Sequence, residues 1–585
     1  MSTKWALYDG EYRLCTSKQS RRFMEAAVAL NFASSCLFFL AFAIAFDFSG
    51  RKEYHSTEDY AEAWWKRCRI LCCRCGKKSD DDAYRDVAHV LALAFRGYDM
   101  VPSDLMAGMI LLHGYQEQSR RIISSYVTYP PHPLGYKETK ASQARPAPRL
   151  TPAQTNTVFE LMEYSPYYLG AYGWMLFQYQ HCCTGVCQLC CFNPSMCCAF
   201  HPGKHYGTKS HCNLTALLKV TQLPESAILL TCWVNSLFKP VHYVAYDEEK
   251  DSIIIAIRGT MSFIDCLTDF AAIPSTIPLK DTPSSYTADS YFVHGGMYES
   301  AQFVWRSLEY NGIFLKLNDK KYAKSRVVVL GHSLGAGVAL ILSCMMWSEF
   351  RSVRHRLRCL AYAPPGGTMS EAVVQYCASF SVGTFMGYDM IPRLAQHTFD
   401  LFRESIFDVL AASTVPKSLL FLNILRSGEV ARAIHPSSPT IQPPSPPSQQ
   451  YRDALREHPC VPQQLPKLLY PCSTLVHFFR AVSCKTGILH KEDIYVPLFI
   501  GHQDVQMLLS SPTMFTDHFP DKLERILRAT CRRLERGELD RFFVAADPSS
   551  ARVEVEEAPM QYVASPVRSA PYGSTLARED SAHAV

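Results

Sequence analysis

Arg326-Val-Val-Val-Leu-Gly-His-Ser-Leu-Gly-Ala-Gly-Val-Ala-Leu-Ile341 is the stretch around which the chain is organised. Val327 to Leu330 are consecutive apolar residues and read as a strand buried on both faces, while the Ala/Leu-rich run from Ala336 reads as a helix packed behind it. Between the two stands Gly331-His332-Ser333-Leu334-Gly335. A serine at the centre of such a turn is forced into a strained backbone conformation, and glycines two positions either side let strand and helix approach closely. Its hydroxyl is then held clear of the sheet at a helix N-terminus, where the N–H of Leu334 faces a developing oxyanion. The bare G-x-S-x-G pattern arises by chance in about one chain in ten of this length, so the flanking strand and helix carry the reading.

The rest of the composition sets limits. A chain of 585 residues, 48% hydrophobic and 19% charged, can bury a large core and holds either several domains or one domain with insertions. A net charge of +5 is small for this length, so no nucleic acid or other polyanion is expected as a partner. The 23 cysteines are odd in number and clustered, unlike the paired framework of a small secreted domain.

Residues 1–25 are polar and basic, with Arg13, Lys18, Arg21 and Arg22. Residues 26–46 then carry no charge and are long enough to cross a bilayer, which predicts one transmembrane helix. A cleaved signal peptide competes, because Ala43-Ile44-Ala45 resembles a processing site, but the apolar core exceeds the usual 7–15 or so residues. Residues 47–225 form a juxtamembrane and cysteine-rich region. In it Trp64-Trp65-Lys66-Arg67 suits a membrane interface, and Cys68, Cys72, Cys73 and Cys75 are either S-acylation sites or buried thiols on a basic face. A second cluster, from Cys182 to Cys198, contains Cys187-x-x-Cys190 with zinc spacing but no matching second pair, so reduced thiols or a membrane-contacting loop are expected.

The catalytic region is expected over 226–530. Lys239–Tyr246 and Ser252–Ile257 read as strands joined by the turn Asp247-Glu-Glu-Lys250, and Arg258-Gly-Thr260 follows the second strand. With a nucleophile elbow of the α/β-hydrolase kind, that loop donates the second oxyanion contact, which points to Thr260 beside Leu334. Met261 to Phe270 has helical spacing and serves either as a lid or as an ordinary core helix. Leu357–Ala363 and Ala378–Phe385 read as further strands, the second running into Gly387-Tyr-Asp389, where a carboxylate is expected to orient the catalytic histidine. Seven histidines follow: His397, His435, His458, His477, His490, His502 and His518. His518 precedes a helix starting near Asp521, the loop position this fold uses, and His502 after the run Ile494–Ile500 is the alternative.

Ile257-Arg-Gly-Thr260, Val293-His-Gly-Gly296, Gly331-His-Ser-Leu-Gly335 and Asp389-Met-Ile-Pro-Arg393 together resemble successive signatures of the class 3 (fungal-type) lipases. Arg258-Gly-Thr-Met-Ser262, Leu267-Thr-Asp269, Val101-Pro-Ser-Asp104 and Met514-Phe-Thr-Asp-His-Phe-Pro520 make the chain similar to the sn-1-specific diacylglycerol lipases, the beta form especially, from the apolar span to about residue 530. The resemblance implies an α/β-hydrolase with Ser333 as nucleophile, His518 as base and Asp389 as its partner. It implies hydrolysis of diacylglycerol at the sn-1 ester to a 2-monoacylglycerol, such as 2-arachidonoylglycerol, and a free fatty acid. It also implies a bilayer-anchored chain whose catalytic part faces the cytosol, at the plasma membrane or an endomembrane. The family usually has four spans, where one is visible here. Calcium is associated with the family; no EF-hand pattern is present, so no ligands are assigned and no cofactor is required for the chemistry. A regulatory insertion is expected at about 395–487, with the Pro/Ser-rich stretch 435–450 disordered or polyproline-like, and a disordered tail over 536–585. Two other readings stand: an inactive membrane scaffold of the same fold, and a secreted triacylglycerol lipase.

Overall fold

The computed structural model describes residues 57–71, 100–123, 149–181, 184–192, 212–236, 238–259, 274–411, 468–486 and 490–543, with single positions at 85, 88, 92, 413, 416, 417 and 419–421. Ten strands are present among them: β1 (Ile228–Cys232), β2 (His242–Asp247), β3 (Ser252–Ile257), β4 (Pro274–Thr276), β5 (Phe292–His294), β6 (Arg326–His332), β7 (Leu357–Tyr362), β8 (Ser381–Met386), β9 (Thr474–Thr486) and β10 (His490–Gly501). Eight of them form one sheet in the order β1-β2-β3-β6-β7-β8-β9-β10, and β4 and β5 pair separately. The middle of the sheet, from β3 to β9, is parallel, while β1, β2 and β10 are added antiparallel at the edges.

The apolar runs explain this arrangement. Side chains alternate across a strand, so a strand covered on both faces needs apolar residues at every position. Val327 and Val329 of β6 fall in one core with Ile253, Ile255 and Ile257 of β3, while Val328 and Leu330 fall in the other with Ile254 and Ala256. The helices covering the two faces come from different parts of the chain. In chain order, besides the five-residue helix Ile313–Leu317, the helices among the described residues are α1 (Thr57–Leu71), α2 (Pro102–Ile123), α3 (Pro152–Glu163), α4 (Ser165–Ala171), α5 (Gly173–Gln180), α6 (Gly185–Phe192), α7 (Cys212–Thr221), α8 (Gly295–Tyr310), α9 (Leu334–Glu349), α10 (Glu371–Cys377), α11 (Gln396–Ala411) and α12 (Pro520–Glu535). Helices α8, α9 and α10 line the first core, and α3, α4, α7 and α12 line the second.

Four expected boundaries move. The catalytic unit does not begin near residue 226: Val158 and Leu161 of α3 and Leu214 and Leu217 of α7 are buried against the sheet, so its covering layer starts at Pro152. The insertion is narrower than 395–487, because α11 packs Phe402 and Ile406 against α2, and β9 is the parallel neighbour of β8 with Leu475, Val476 and Phe478 buried. The strand expected from Ala378 begins at Ser381, because α10 runs to Cys377 and a turn intervenes. The tail does not start at 536, since Leu539, Phe542 and Phe543 are buried with Val496. Trp64, read as an interface residue, is buried edge-on to Tyr60 in the core that α1 and α2 share with α11.

The expected span over 26–46, the 261–270 helix, the 435–450 stretch and the tail beyond 543 lie outside the described residues. Among the described residues no helix is long and apolar enough to cross a membrane.

Candidate active site

Ser333 sits between β6 and α9 with φ 59° and ψ −130°, a conformation that side-chain-bearing residues rarely adopt. The flanking glycines hold it there. A Cβ at Gly331 would stand 2.3 Å from the Gly335 carbonyl oxygen and 2.8 Å from that of Ile257, and one at Gly335 would stand 2.4 Å from the same Ile257 oxygen. No side chain fits in those gaps, so helix and strand touch backbone to backbone. The Ser333 N–H donates to the Tyr362 carbonyl at 2.9 Å, which pins the turn to β7.

The residues expected from the sequence come together at this turn. Ser333 Oγ lies 2.8 Å from His518 Nε2, and His518 Nδ1 lies 3.0 Å from Asp389 Oδ2. A carboxylate only accepts, so Nδ1 carries the proton and Nε2 is free to take the serine's. Asp389 is fully buried at the carboxyl end of β8, and its Oδ1 also accepts the Ile391 N–H at 2.9 Å. Leu334 is the first residue of α9, and its N–H makes no backbone hydrogen bond among the described residues. Thr260 lies outside the described residues, but Gly259 before it runs against the elbow: a Cβ there would stand 2.4 Å from the His332 carbonyl oxygen and 2.9 Å from Ser333 Cβ.

The alternative histidines are engaged elsewhere. His502 Nε2 lies 2.6 Å from Glu371 Oε2, His397 Nε2 lies 2.6 Å from Gln506 Oε1, and His477 stacks on Phe385 with Nε2 at 2.9 Å from the Gly387 carbonyl.

Two further sets of residues escaped the sequence reading. Asp517, beside His518, is buried, and its Oδ2 accepts the Tyr388 N–H and the Thr513 hydroxyl, each at 2.9 Å. Its Oδ1 pairs with Lys522. The carboxylate therefore ties the loop carrying Asp389 to the loop carrying His518. Gly387 has φ 52°, and a Cβ there would meet Asp517 Oδ2 at 2.3 Å, so only glycine leaves room for the clamp. The second set is aromatic. Tyr172 places its hydroxyl 2.8 Å from His332 Nδ1, and Tyr168 stacks on the same ring. His332 is buried 4.8 Å, ring to ring, from His518, and burial first, then the neighbouring His518, hold its pKa well below the usual histidine range. A neutral His332 puts no like charge beside His518 when that ring takes a proton. Tyr164, Tyr168 and Tyr172 recur every fourth residue, the signal that would have marked them as one helical face.

Among the described residues no group of His, Cys, Asp or Glu could hold a metal ion. Cys187 and Cys190, with their zinc-like spacing, both lie on α6.

Residues 254–399 match the family model described as Lipase (class 3). The chain is 30% identical over 385 residues to diacylglycerol lipase-alpha of Homo sapiens, covering 62% of this chain and 35% of that protein. It is 28% identical over 368 residues to diacylglycerol lipase-beta of Mus musculus, covering 62% of this chain and 51% of that one. The chain thus spans about a third to a half of the length of these relatives, and the identities do not favour the beta form over the alpha form. A crystal structure of a lipase from Rhizopus microsporus var. chinensis aligns at 19% identity and a TM-score of 0.29, covering 47% of this chain and 78% of that one.

Proposed function

We propose that this chain, whose residues 254–399 match the family model of the class 3 lipases, is a serine lipase that hydrolyses diacylglycerol. The observation that carries the reading is the continuous hydrogen-bond chain Ser333–His518–Asp389 at a strained strand-to-helix turn. Diacylglycerol as substrate is supported by the two relatives named for it.

The reaction follows from the geometry. Ser333 Oγ attacks the ester carbonyl as His518 Nε2 removes its proton, and Asp389 stabilises the imidazolium that results. The tetrahedral oxyanion receives the free Leu334 N–H, with the Thr260 N–H and hydroxyl as the second set of donors. His518 returns the proton to the departing glyceride oxygen, which leaves an acyl ester on Ser333. Water, deprotonated by the same imidazole, then releases the fatty acid. No step is routed through calcium.

The finer reading is attack at the sn-1 ester, giving a 2-monoacylglycerol. The chain is anchored through 26–46 with its catalytic part on the cytosolic side of the membrane. The intact triad favours an active enzyme over an inactive scaffold, and mapping of the mature amino terminus separates the anchored form from a secreted one. The purified protein is to be assayed against diacylglycerol, triacylglycerol and phospholipid, with positional analysis of the monoacylglycerol product. Ser333→Ala removes one small polar group, so it should keep the fold and lose at least about 10⁴-fold in turnover together with fluorophosphonate labelling. Labelling that survives the substitution would overturn the nucleophile assignment.

A further inference from the structure

We propose that the outer face of α5, with the loop that carries His518, is the surface by which the catalytic mouth docks on a lipid bilayer. This rests on the reading of the chain as an enzyme of lipid esters. Helix α5 begins directly after Tyr172, whose hydroxyl touches His332 beside the nucleophile. Its inner face buries Leu176 and Phe177, but Trp174 and Met175 are each 40% exposed and Tyr179 is 63% exposed. On a helix these positions form one stripe, since residue 179 lies one turn beyond 175.

The stripe continues onto the catalytic loop. Phe515 and Phe519 flank His518 and are 44% and 46% exposed, and the ring of Phe519 meets that of Tyr179 edge-on at 6.3 Å. Five large apolar or aromatic side chains from two distant segments are therefore exposed on the helix that follows Tyr172 and on the loop that carries His518. Scattered exposed apolar residues are ordinary on a protein surface; a contiguous cluster at a functional opening is not.

Composition decides the occupant. Tryptophan and tyrosine carry an apolar body with a polar tip and collect where hydrocarbon meets water. Positive groups stand at the rim, as a lipid headgroup layer requires. Lys219 places its ammonium 4.9 Å from the centre of the exposed Phe192 ring on α6, and Lys219 and Arg528 line a cleft of about 270 Å³ at the end of α5. Arg528 also pairs with Glu524, one turn before it on α12 and lining the same cleft, so the net positive charge there is modest. Adsorption is thus expected to rest on the apolar stripe, with anionic lipid adding to it. A diacylglycerol molecule has its ester groups at the same depth as the docked rings, which would present the sn-1 carbonyl to Ser333 without leaving the membrane.

The test uses the full chain reconstituted in phosphatidylcholine–phosphatidylserine vesicles, so that any anchor elsewhere is common to every variant. The fluorescence difference between the native protein and Trp174→Phe isolates the signal of that one residue. Replacing the phosphatidylcholine with its bromolipid analogue should quench it. A Trp174→Ser/Met175→Ser/Tyr179→Ser variant should lose about tenfold or more in hydrolysis of vesicle diacylglycerol, while turnover of soluble p-nitrophenyl butyrate stays within about twofold. A Trp174 signal that bromolipid does not quench means that protein, not lipid, covers the stripe, and overturns the proposal. Unchanged vesicle hydrolysis in the triple variant, or equal loss on both substrates, overturns it as well. Quenching in a native protein that turns over the soluble ester but not diacylglycerol would uphold docking and reject the substrate.

Discussion

Asp517→Ala tests whether the geometry of the triad depends on a residue that never meets substrate. Its carboxylate accepts the Tyr388 N–H and the Thr513 hydroxyl and pairs with Lys522, so alanine removes three contacts at once. The orphaned N–H of Tyr388 costs about 1–3 kcal/mol, and the two hydrogen bonds to a charged acceptor add to that, while Lys522, partly exposed, regains water and recovers much of its share. The sum is about 3 kcal/mol of stability, or a melting temperature lower by roughly 3–6 °C for a unit of this size. The catalytic effect is separable from this. Freed of the clamp, the Asp389 and His518 loops shift by on the order of 1 Å, and a misplacement of that size costs about 10²-fold in turnover. On a soluble short-chain ester, kcat should therefore fall about 10²-fold with KM little changed, and fluorophosphonate labelling should slow in step. Asp517→Asn keeps an acceptor for Tyr388 and should recover most of the loss. Gly387→Ala drives a Cβ into the same carboxylate and should reproduce the defect. If Asp517→Ala lowers the melting temperature but leaves kcat within about twofold of native, the clamp is merely structural and the reasoning fails.

Two further outcomes follow from the histidines. His518→Ala should remove at least about 10⁴-fold of turnover, whereas His502→Ala, which breaks contacts to Glu371, Gln503 and Tyr470 and none to the triad, should leave it nearly intact; the reverse result on a soluble ester would reassign the base. His242 is buried with Nδ1 donating to the Pro240 carbonyl and Nε2 accepting from Ser307, and burial lowers its pKa to about 4. Above pH ~6.5 the ring is neutral in both the folded and unfolded chain, so stability is full there; below it the unfolded chain takes up the proton first. Stability should therefore fall from pH ~6.5 toward 4 by up to about 1.4 kcal/mol per pH unit for this residue, with His332 adding a loss of the same sign. Melting curves of His242→Gln should show a shallower acid limb, and superimposable limbs would refute the attribution.

The nucleophile turn was legible because its constraints are local. A four-residue apolar run, two glycines with no room for a Cβ and an Ala-rich helix all lie within sixteen consecutive residues, and each obeys a short-range steric or periodic rule. Asp389 and His518 were legible for a related reason: each stands at a predictable point relative to the end of a strand or the start of a helix. What the pattern could not contain were contacts across long stretches of chain. Tyr172 reaches His332 across 160 residues, and Asp517 reaches Tyr388 across 129. No window of sequence holds both partners, and a buried tyrosine or aspartate reads alike whether it packs a core or steadies a catalytic ring. The boundaries moved for the same reason. Thr474–Thr486 looked like part of an insertion because it follows a Pro/Ser-rich stretch, yet it buries Leu475, Val476 and Phe478 and extends the sheet beside β8, and α3, α4 and α7 looked like a separate region although they cover one face of that sheet. Local chemistry is written residue by residue, whereas the partner of a strand edge or a buried hydroxyl is chosen by where the folded chain brings distant segments together.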